Sequence, residues 1–205
     1  MTNVLYIHGM GGGADSRIPS ILTVALAGKV NVIVRTYDFD PEIAATQISG
    51  WMEELKPSLV IGESLGSLHA LKLRDVPRLF VSPALNASMH FQLMAWMTLI
   101  PGMTRLFDTI YRPKDGDRQK LHFTFLVLRK YRRHRSEALA KNQGEEVWAF
   151  FGTHDHYMRT GVVSIRTWKK YYGDTFTTYE GTHFIEEEYI HSLLIPKILN
   201  VLNIK

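Results

Sequence analysis

Cysteine is absent from the 205 residues. That excludes a disulfide framework and fits a reducing compartment, so the cytoplasm is the expected location. Long hydrophobic runs are absent too. The most apolar stretch, Phe91 to Ile100, is half as long as a membrane-spanning helix, which needs about 20 residues, and Pro101-Gly102 closes it. Val4 to Ile7 has no basic segment before it and no small-residue cleavage site after it, and it reads as a strand, not a signal peptide. Nor is there a strong excess of one charge. The net charge is +4, but Arg129, Lys130, Arg132, Arg133 and Arg135 are five positives within seven positions, leaving 19 positives against 20 negatives elsewhere. The basic character belongs to one segment, which argues against a nucleic-acid binder.

With 45% hydrophobic and 21% charged residues, 15 Gly and 8 Pro, the chain has the composition of a packed globular protein. Its length suits one domain that buries roughly 70% of its unfolded surface. Short apolar runs alternate with segments of helical period, as when crossover helices join parallel strands. The expected strands are Asn3 to His8, Val30 to Tyr37, Ser58 to Gly62, Arg78 to Ser82, Glu146 to Gly152 and Thr175 to Glu180. The pattern predicts an α/β fold, a three-layer sandwich around a mostly parallel sheet of about six strands. Ser16 is the expected cap of a first helix with Ile21, Leu22, Ala25 and Leu26 as its apolar stripe. Asp40 and Pro41 open a second, with Ile43, Ile48, Trp51, Met52 and Leu55 buried and Pro57 as its stop.

The alternation breaks after Pro83. Residues 84–143 read as two helical stretches around a polar turn, Pro113 to Asp117, and form an expected cap or lid within the domain. Phe91, Leu93, Met94, Trp96, Met97, Leu99 and Ile100 are apolar on several sides, which suits a cap over a site or a contact between copies of the chain. Arg129 to Arg135 reads as a solvated helical face or as an attractor for anionic partners. Helices are expected again from about Tyr157 to Tyr172 and from about Ile185 to Leu202, the last kinked at Pro196.

The third strand runs into Gly62-Glu63-Ser64-Leu65-Gly66, a G-x-S-x-G turn between strand and helix. Such a turn lifts the serine hydroxyl above the sheet and aims the following N–H, that of Leu65, at a developing oxyanion. A serine needs a base, and the base needs a carboxylate to fix its tautomer. Gly152-Thr153-His154-Asp155 and Gly181-Thr182-His183-Phe184 follow the fifth and sixth strands, giving the order Ser, Asp, His at one sheet edge. After the first strand comes His8-Gly9-Met10-Gly11-Gly12-Gly13, where the Met10 N–H is the expected second oxyanion donor and His8 orients the loop.

Leu5-Tyr6-Ile7-His8-Gly9, the Ser64 turn, Ser82-Pro83-Ala84-Leu85-Asn86 and Gly181 to Phe184 resemble the α/β-hydrolase superfamily, and within it small bacterial esterases of the YqiA type. The resemblance covers about residues 3–86 and 146–202. It implies Ser64 as nucleophile, His183 as general base and acid, Asp155 as orienting carboxylate, and the Met10 and Leu65 amides as oxyanion hole. It also implies a parallel sheet without additional antiparallel strands. The expected activity is hydrolysis of a carboxylic ester or related acyl bond of a small molecule, without cofactor or metal.

Three other readings stand beside this one. Gly9 to Ala14 fits G-x-G-x-x-G/A, and Asp38 stands where a ribose-binding acid would, as in a dinucleotide-dependent oxidoreductase. That reading leaves Ser64, Asp155 and His183 without a role. His154, Asp155, His156 and His183 could be a metal cluster, although they lack companions at familiar ligand spacing. The third is a non-catalytic module that binds anionic partners through Arg129 to Arg135. No Gly-Lys-Ser/Thr follows the glycines, which excludes a P-loop.

Overall fold

The computed structural model describes residues 1–112, 115–139 and 146–204. Six strands form one sheet: β1 (Thr2–Ile7), β2 (Val30–Val34), β3 (Leu59–Glu63), β4 (Arg78–Val81), β5 (Val147–Gly152) and β6 (Phe176–Tyr179). Their order is β2-β1-β3-β4-β5-β6, and every pairing is parallel. β2 stops at Val34, short of the expected Tyr37. Tyr37 instead stacks on His8 and donates from its hydroxyl to the His8 carbonyl at 2.6 Å, so the chain there leaves the ladder to brace the loop after β1.

The four inner strands, β1, β3, β4 and β5, are buried on both faces, and the period of two sorts their side chains between two cores. Leu5, Ile7, Val60, Phe80, Ala149 and Phe151 enter one core, and Val4, Tyr6, Leu59, Ile61, Leu79, Val81 and Phe150 enter the other. Each fully buried aliphatic or aromatic side chain of this kind contributes about 1.5–3 kcal/mol relative to exposure.

The second core is covered by α1 (Arg17–Ala25) and the C-terminal helical segment. On α1, Ile18, Leu22 and Leu26 are buried while Ala25 is exposed, so the buried stripe lies further round the helix than expected. Ser16 stands at the cap position, but its hydroxyl accepts from the Gly13 N–H and not from the helix. The C-terminal segment passes through a π-helical turn at Ile190–Leu194, just ahead of Pro196, whose missing N–H interrupts the regular ladder.

The first core is covered by α2 (Pro41–Leu55), α3 (Gly66–Ala70), α4 (Ala87–Met97), α5 (Met103–Ile110) and α6 (Phe125–Leu139), with α7 (His156–Arg159) and α8 (Ile165–Tyr172) beyond β5. The last two helices are α9 (Glu187–Tyr189) and α10 (Ile195–Val201). Asp40 caps α2 by accepting from Glu42 N–H at 3.0 Å, and Lys56, in the left-handed region, ends it before Pro57. Ile48 is buried as expected, but Ile43 is exposed and α2 turns Ala44 inward in its place. The expected helix from Tyr157 to Tyr172 is two helices, broken at Gly161 (φ +74°), after which the Ser164 hydroxyl accepts from Thr167 N–H and starts α8.

Between β4 and β5 the described residues form three helices, α4 to α6, where two helical stretches were expected. Pro113 and Lys114 of the polar turn, and residues 140–143, lie outside the described residues. Phe39, Phe91, Phe123 and Tyr131 form one aromatic cluster that fastens α4, α6 and the segment before α6 to the entry of α2. The run Arg129 to Arg135 is not a uniformly solvated face. Lys130 pairs with Asp40 and Glu42, Arg133 pairs with Glu137, Arg135 bonds the Leu85 carbonyl and the Asn86 side chain, and Tyr131 and His134 between them are buried. Among the described residues no helix is long and apolar enough to cross a membrane.

Candidate active site

Parallel strands bring the ends of β1, β3, β5 and β6 to one edge of the sheet, with Ile7 level with Gly62, Glu63 with Val81 and Gly152 with Tyr179. The four loops that carry the residues singled out in the sequence leave from this edge.

Ser64 turns from β3 into α3 at φ +48°, a left-handed conformation that costs a non-glycine residue roughly 1–2 kcal/mol. Its N–H donates to Val81 O at 2.9 Å and its carbonyl accepts from Ala84 N–H at 3.0 Å, so both sides of the turn are held by β4 and the loop after it. A Cβ on Gly66 would overlap the carbonyl oxygens of Ile7 and His8, and one on Gly62 would come within 2.9 Å of Ala70 Cβ. The two glycines are therefore what let α3 pack against the ends of β1 and β3.

His183 lies in the loop after β6, and several bonds build that loop. Arg17 donates to the Ile185 carbonyl, and to the Phe184 carbonyl at 3.2 Å. Glu186 accepts from the Thr182 N–H at 2.9 Å and the Tyr179 hydroxyl donates to Thr182 O at 3.1 Å. His154 N–H donates to Gly181 O at 2.9 Å, joining this loop to the one that carries Asp155. A Cβ at Gly152 would overlap the Gly181 and Thr182 carbonyls, so this glycine sets how closely the two loops approach.

The result is a continuous chain of hydrogen bonds. Asp155 Oδ2 is 2.7 Å from His183 Nδ1, and His183 Nε2 is 2.9 Å from Ser64 Oγ. With the proton on Nδ1, the imidazole donates to the carboxylate and accepts from the serine hydroxyl. Asp155 also caps α7, accepting from Tyr157 N–H at 2.8 Å through Oδ1, so capping and pairing coexist in one side chain. His183 is 3% exposed and not a solvated turn residue, and the Tyr157 ring meets it edge-on at 4.6 Å.

Ser64 and His183 open onto a cavity of about 560 Å³. One side is the Gly9 to Gly12 loop together with Leu65. Among the described residues neither the Met10 nor the Leu65 N–H has a hydrogen-bond partner. The opposite side is mostly apolar and includes Ala87, Phe91 and Met94 of α4, with Phe123 and Val162. Glu63 also reaches the cavity, held by the Tyr6 hydroxyl at 2.8 Å. His8 is fully buried, bonds the Gly9 carbonyl through Nδ1 at 2.8 Å, and is pushed down to a pKa of about 4 by burial.

The other sequence readings meet different surroundings. The glycine loop is covered by residues 117–119: Gln119 accepts from Gly11 N–H at 3.1 Å and donates to Gly12 O at 2.8 Å, and a Cβ at Gly13 would overlap the Asp117 carbonyl. Asp38 accepts from Asp40 N–H at 2.7 Å, in the turn that leads to α2. His154 and His156 are exposed while Asp155 is buried, and among the described residues no group of three or more His, Cys, Asp or Glu is arranged to hold a metal ion. Two features gave no sequence signal. Gly152 looked like any strand-end glycine. His69 and His134, whose rings lie 4.5 Å apart, are buried in the first core, where burial pushes both pKa values down, His134 to about 4.

No protein-family model and no curated protein sequence matches the chain. Solved structures do. A structure of Est1E from Butyrivibrio proteoclasticus with ferulic acid bound is 17% identical, covers 99% of this chain and 90% of its own, and superposes with a TM-score of 0.68. A structure from work on the carboxylesterases of the thaumarchaeon Nitrososphaera gargenis is 12% identical, with 98% and 91% covered and a TM-score of 0.62. The type II thioesterase BorB of the borrelidin biosynthetic cluster is 17% identical, with 99% and 92% covered and a TM-score of 0.57. At these identities the likeness is one of fold. Together with the six-stranded parallel sheet and the placement of its loops, it identifies the chain as having the α/β-hydrolase fold.

Proposed function

We propose that the chain is a serine hydrolase that cleaves a carboxylic ester, or a related acyl bond, through an acyl-enzyme. The observation that carries this reading is the unbroken hydrogen-bond chain from Asp155 through His183 to Ser64, opening onto a largely apolar cavity. Ser64 Oγ attacks the acyl carbon as its proton passes to His183 Nε2. Asp155 steadies the imidazolium and holds Nδ1 protonated, so that Nε2 faces the serine. The developing oxyanion is received by the Met10 and Leu65 N–H groups, whose lack of internal partners leaves them free for it. His183 then returns its proton to the leaving alkoxide. Water, deprotonated by the same nitrogen, attacks the acyl-enzyme and releases the acid.

Residues 84–143 are read as the cap of this site, because α4 supplies Ala87, Phe91 and Met94 to the cavity wall. That the structural neighbours include carboxylesterases and a thioesterase supports acyl-bond chemistry. The chemistry itself asks for neither metal nor cofactor. The direct test is turnover of p-nitrophenyl esters of graded acyl length by the wild type and Ser64→Ala. The expected result is a loss of at least about 10⁴-fold in kcat. A Ser64→Ala protein that turns over at the wild-type rate overturns the reading.

A further inference from the structure

We propose that the outer face of α4 and α5 docks on an anionic lipid surface and presents the cavity mouth to it. Among the described residues thirteen large hydrophobic side chains are exposed, and nine of them lie between positions 89 and 126. They are arranged, not scattered. Met89, Leu93 and Trp96 follow at intervals of four and three, one stripe on the side of α4 opposite the buried Phe91 and Ala95, and Ile100 is exposed in the turn just past the helix. Leu106 and Ile110 repeat the interval of four on α5.

This surface is continuous with the cavity. Leu93, Tyr111 and Phe184 each line the cavity, yet are 67%, 39% and 58% exposed, so they form an apolar rim at its mouth. Trp96, 57% exposed, extends the patch to the start of α6 by contact with Phe125, beside which Leu126 is 71% exposed. Arginines stand at its border. Arg129 lies over the Trp96 and Phe125 rings at 5.8 and 5.7 Å, and Arg105 is exposed on α5, against Asp108 as the exposed acid of that helix. An aromatic and aliphatic stripe bordered by arginines has the chemistry of a helix lying in the headgroup region of a bilayer. A protein seated on the same rim would close the cavity, whereas a lipid surface would deliver amphiphilic molecules to it. The delivery of an ester to Ser64 rests on the function proposed above; the docking does not.

The test is co-sedimentation of the full chain, as Ser64→Ala, with vesicles of phosphatidylcholine alone and with equal parts phosphatidylcholine and phosphatidylglycerol. Binding to the mixed vesicles is expected. It should fall about tenfold or more in a Trp96→Ser/Leu126→Ser variant. Arg105→Gln should weaken binding about fivefold on the mixed vesicles and leave the neutral ones unchanged. In the Ser64-containing chain, turnover of a soluble short-chain ester should be unaffected by Trp96→Ser/Leu126→Ser. Absence of such turnover in the parent chain would count against the hydrolase reading alone. Failure to bind either vesicle, or binding indifferent to the Trp96 and Leu126 substitutions, overturns the docking. So does a dimer in solution that the same substitutions dissociate, since a second copy would then be the occupant.

Discussion

Asparagine at position 155 separates two roles that one carboxylate holds. Oδ1 caps α7 through Tyr157 N–H, and Oδ2 meets His183 Nδ1 in a pair whose side chains are 0% and 3% exposed. An asparagine keeps a carbonyl oxygen for the cap, and asparagine and aspartate are about equal caps, so stability should change by no more than about 0.5 kcal/mol. The amide nitrogen then faces Nδ1. As a donor it favours the tautomer with the proton on Nε2, which cannot accept the serine proton. The expected loss in kcat is on the order of 10⁴, about 5.5 kcal/mol of transition-state stabilisation. Asp155→Ala should lose the cap as well and be about 1 kcal/mol less stable than Asp155→Asn. Steady-state ester hydrolysis and thermal unfolding of the three proteins measure both effects. If Asp155→Asn keeps kcat within tenfold of wild type, the carboxylate does not orient the base and the reasoning fails.

Two further outcomes follow from the same geometry. Burial holds His8 and His134 near pKa 4 in the folded chain, against about 6.5 unfolded, and lowers His69 in the same direction. The unfolded chain therefore takes up these protons first as pH falls. Stability should be complete above about pH 6.5 and decline toward pH 4 by about 3 kcal/mol each for His8 and His134, as read from urea midpoints; a flat profile over that window contradicts it. At the elbow, where Ser64 sits at φ +48°, Ser64→Gly should be about 1 kcal/mol more stable than Ser64→Ala, both being inactive. Equal midpoints would mean that the turn is not strained.

The sheet and the Ser64, Asp155 and His183 neighbourhood were legible in the sequence because local rules govern them. A strand buried on both faces is a short apolar run, and a serine elbow needs glycines two residues either side. In a parallel sheet every strand also ends at the same edge as its parallel neighbours, so order along the chain becomes proximity in space. What was not legible depends on partners far along the chain. Ile43 and Ala25 looked like core residues, and only the packing of neighbouring helices shows that they face water. Helix α4 is apolar on both sides, so periodicity could not tell the side that meets Tyr131 from the side that meets solvent. The basic run looked solvated because the sequence does not reveal that Lys130 meets Asp40, 90 residues away. His69 and His134 gave no signal because a neutral histidine in a core occupies an ordinary helical position.

The most direct measurement is peptide-level mass spectrometry after treatment with a fluorophosphonate. A hydroxyl made nucleophilic by the imidazole 2.9 Å away should carry the adduct on Ser64 in the wild type. Ser64→Ala should then be unlabelled and Asp155→Asn labelled far more slowly. A folded wild-type chain that takes no label, or takes it at another serine at an undiminished rate in Ser64→Ala, would contradict the account.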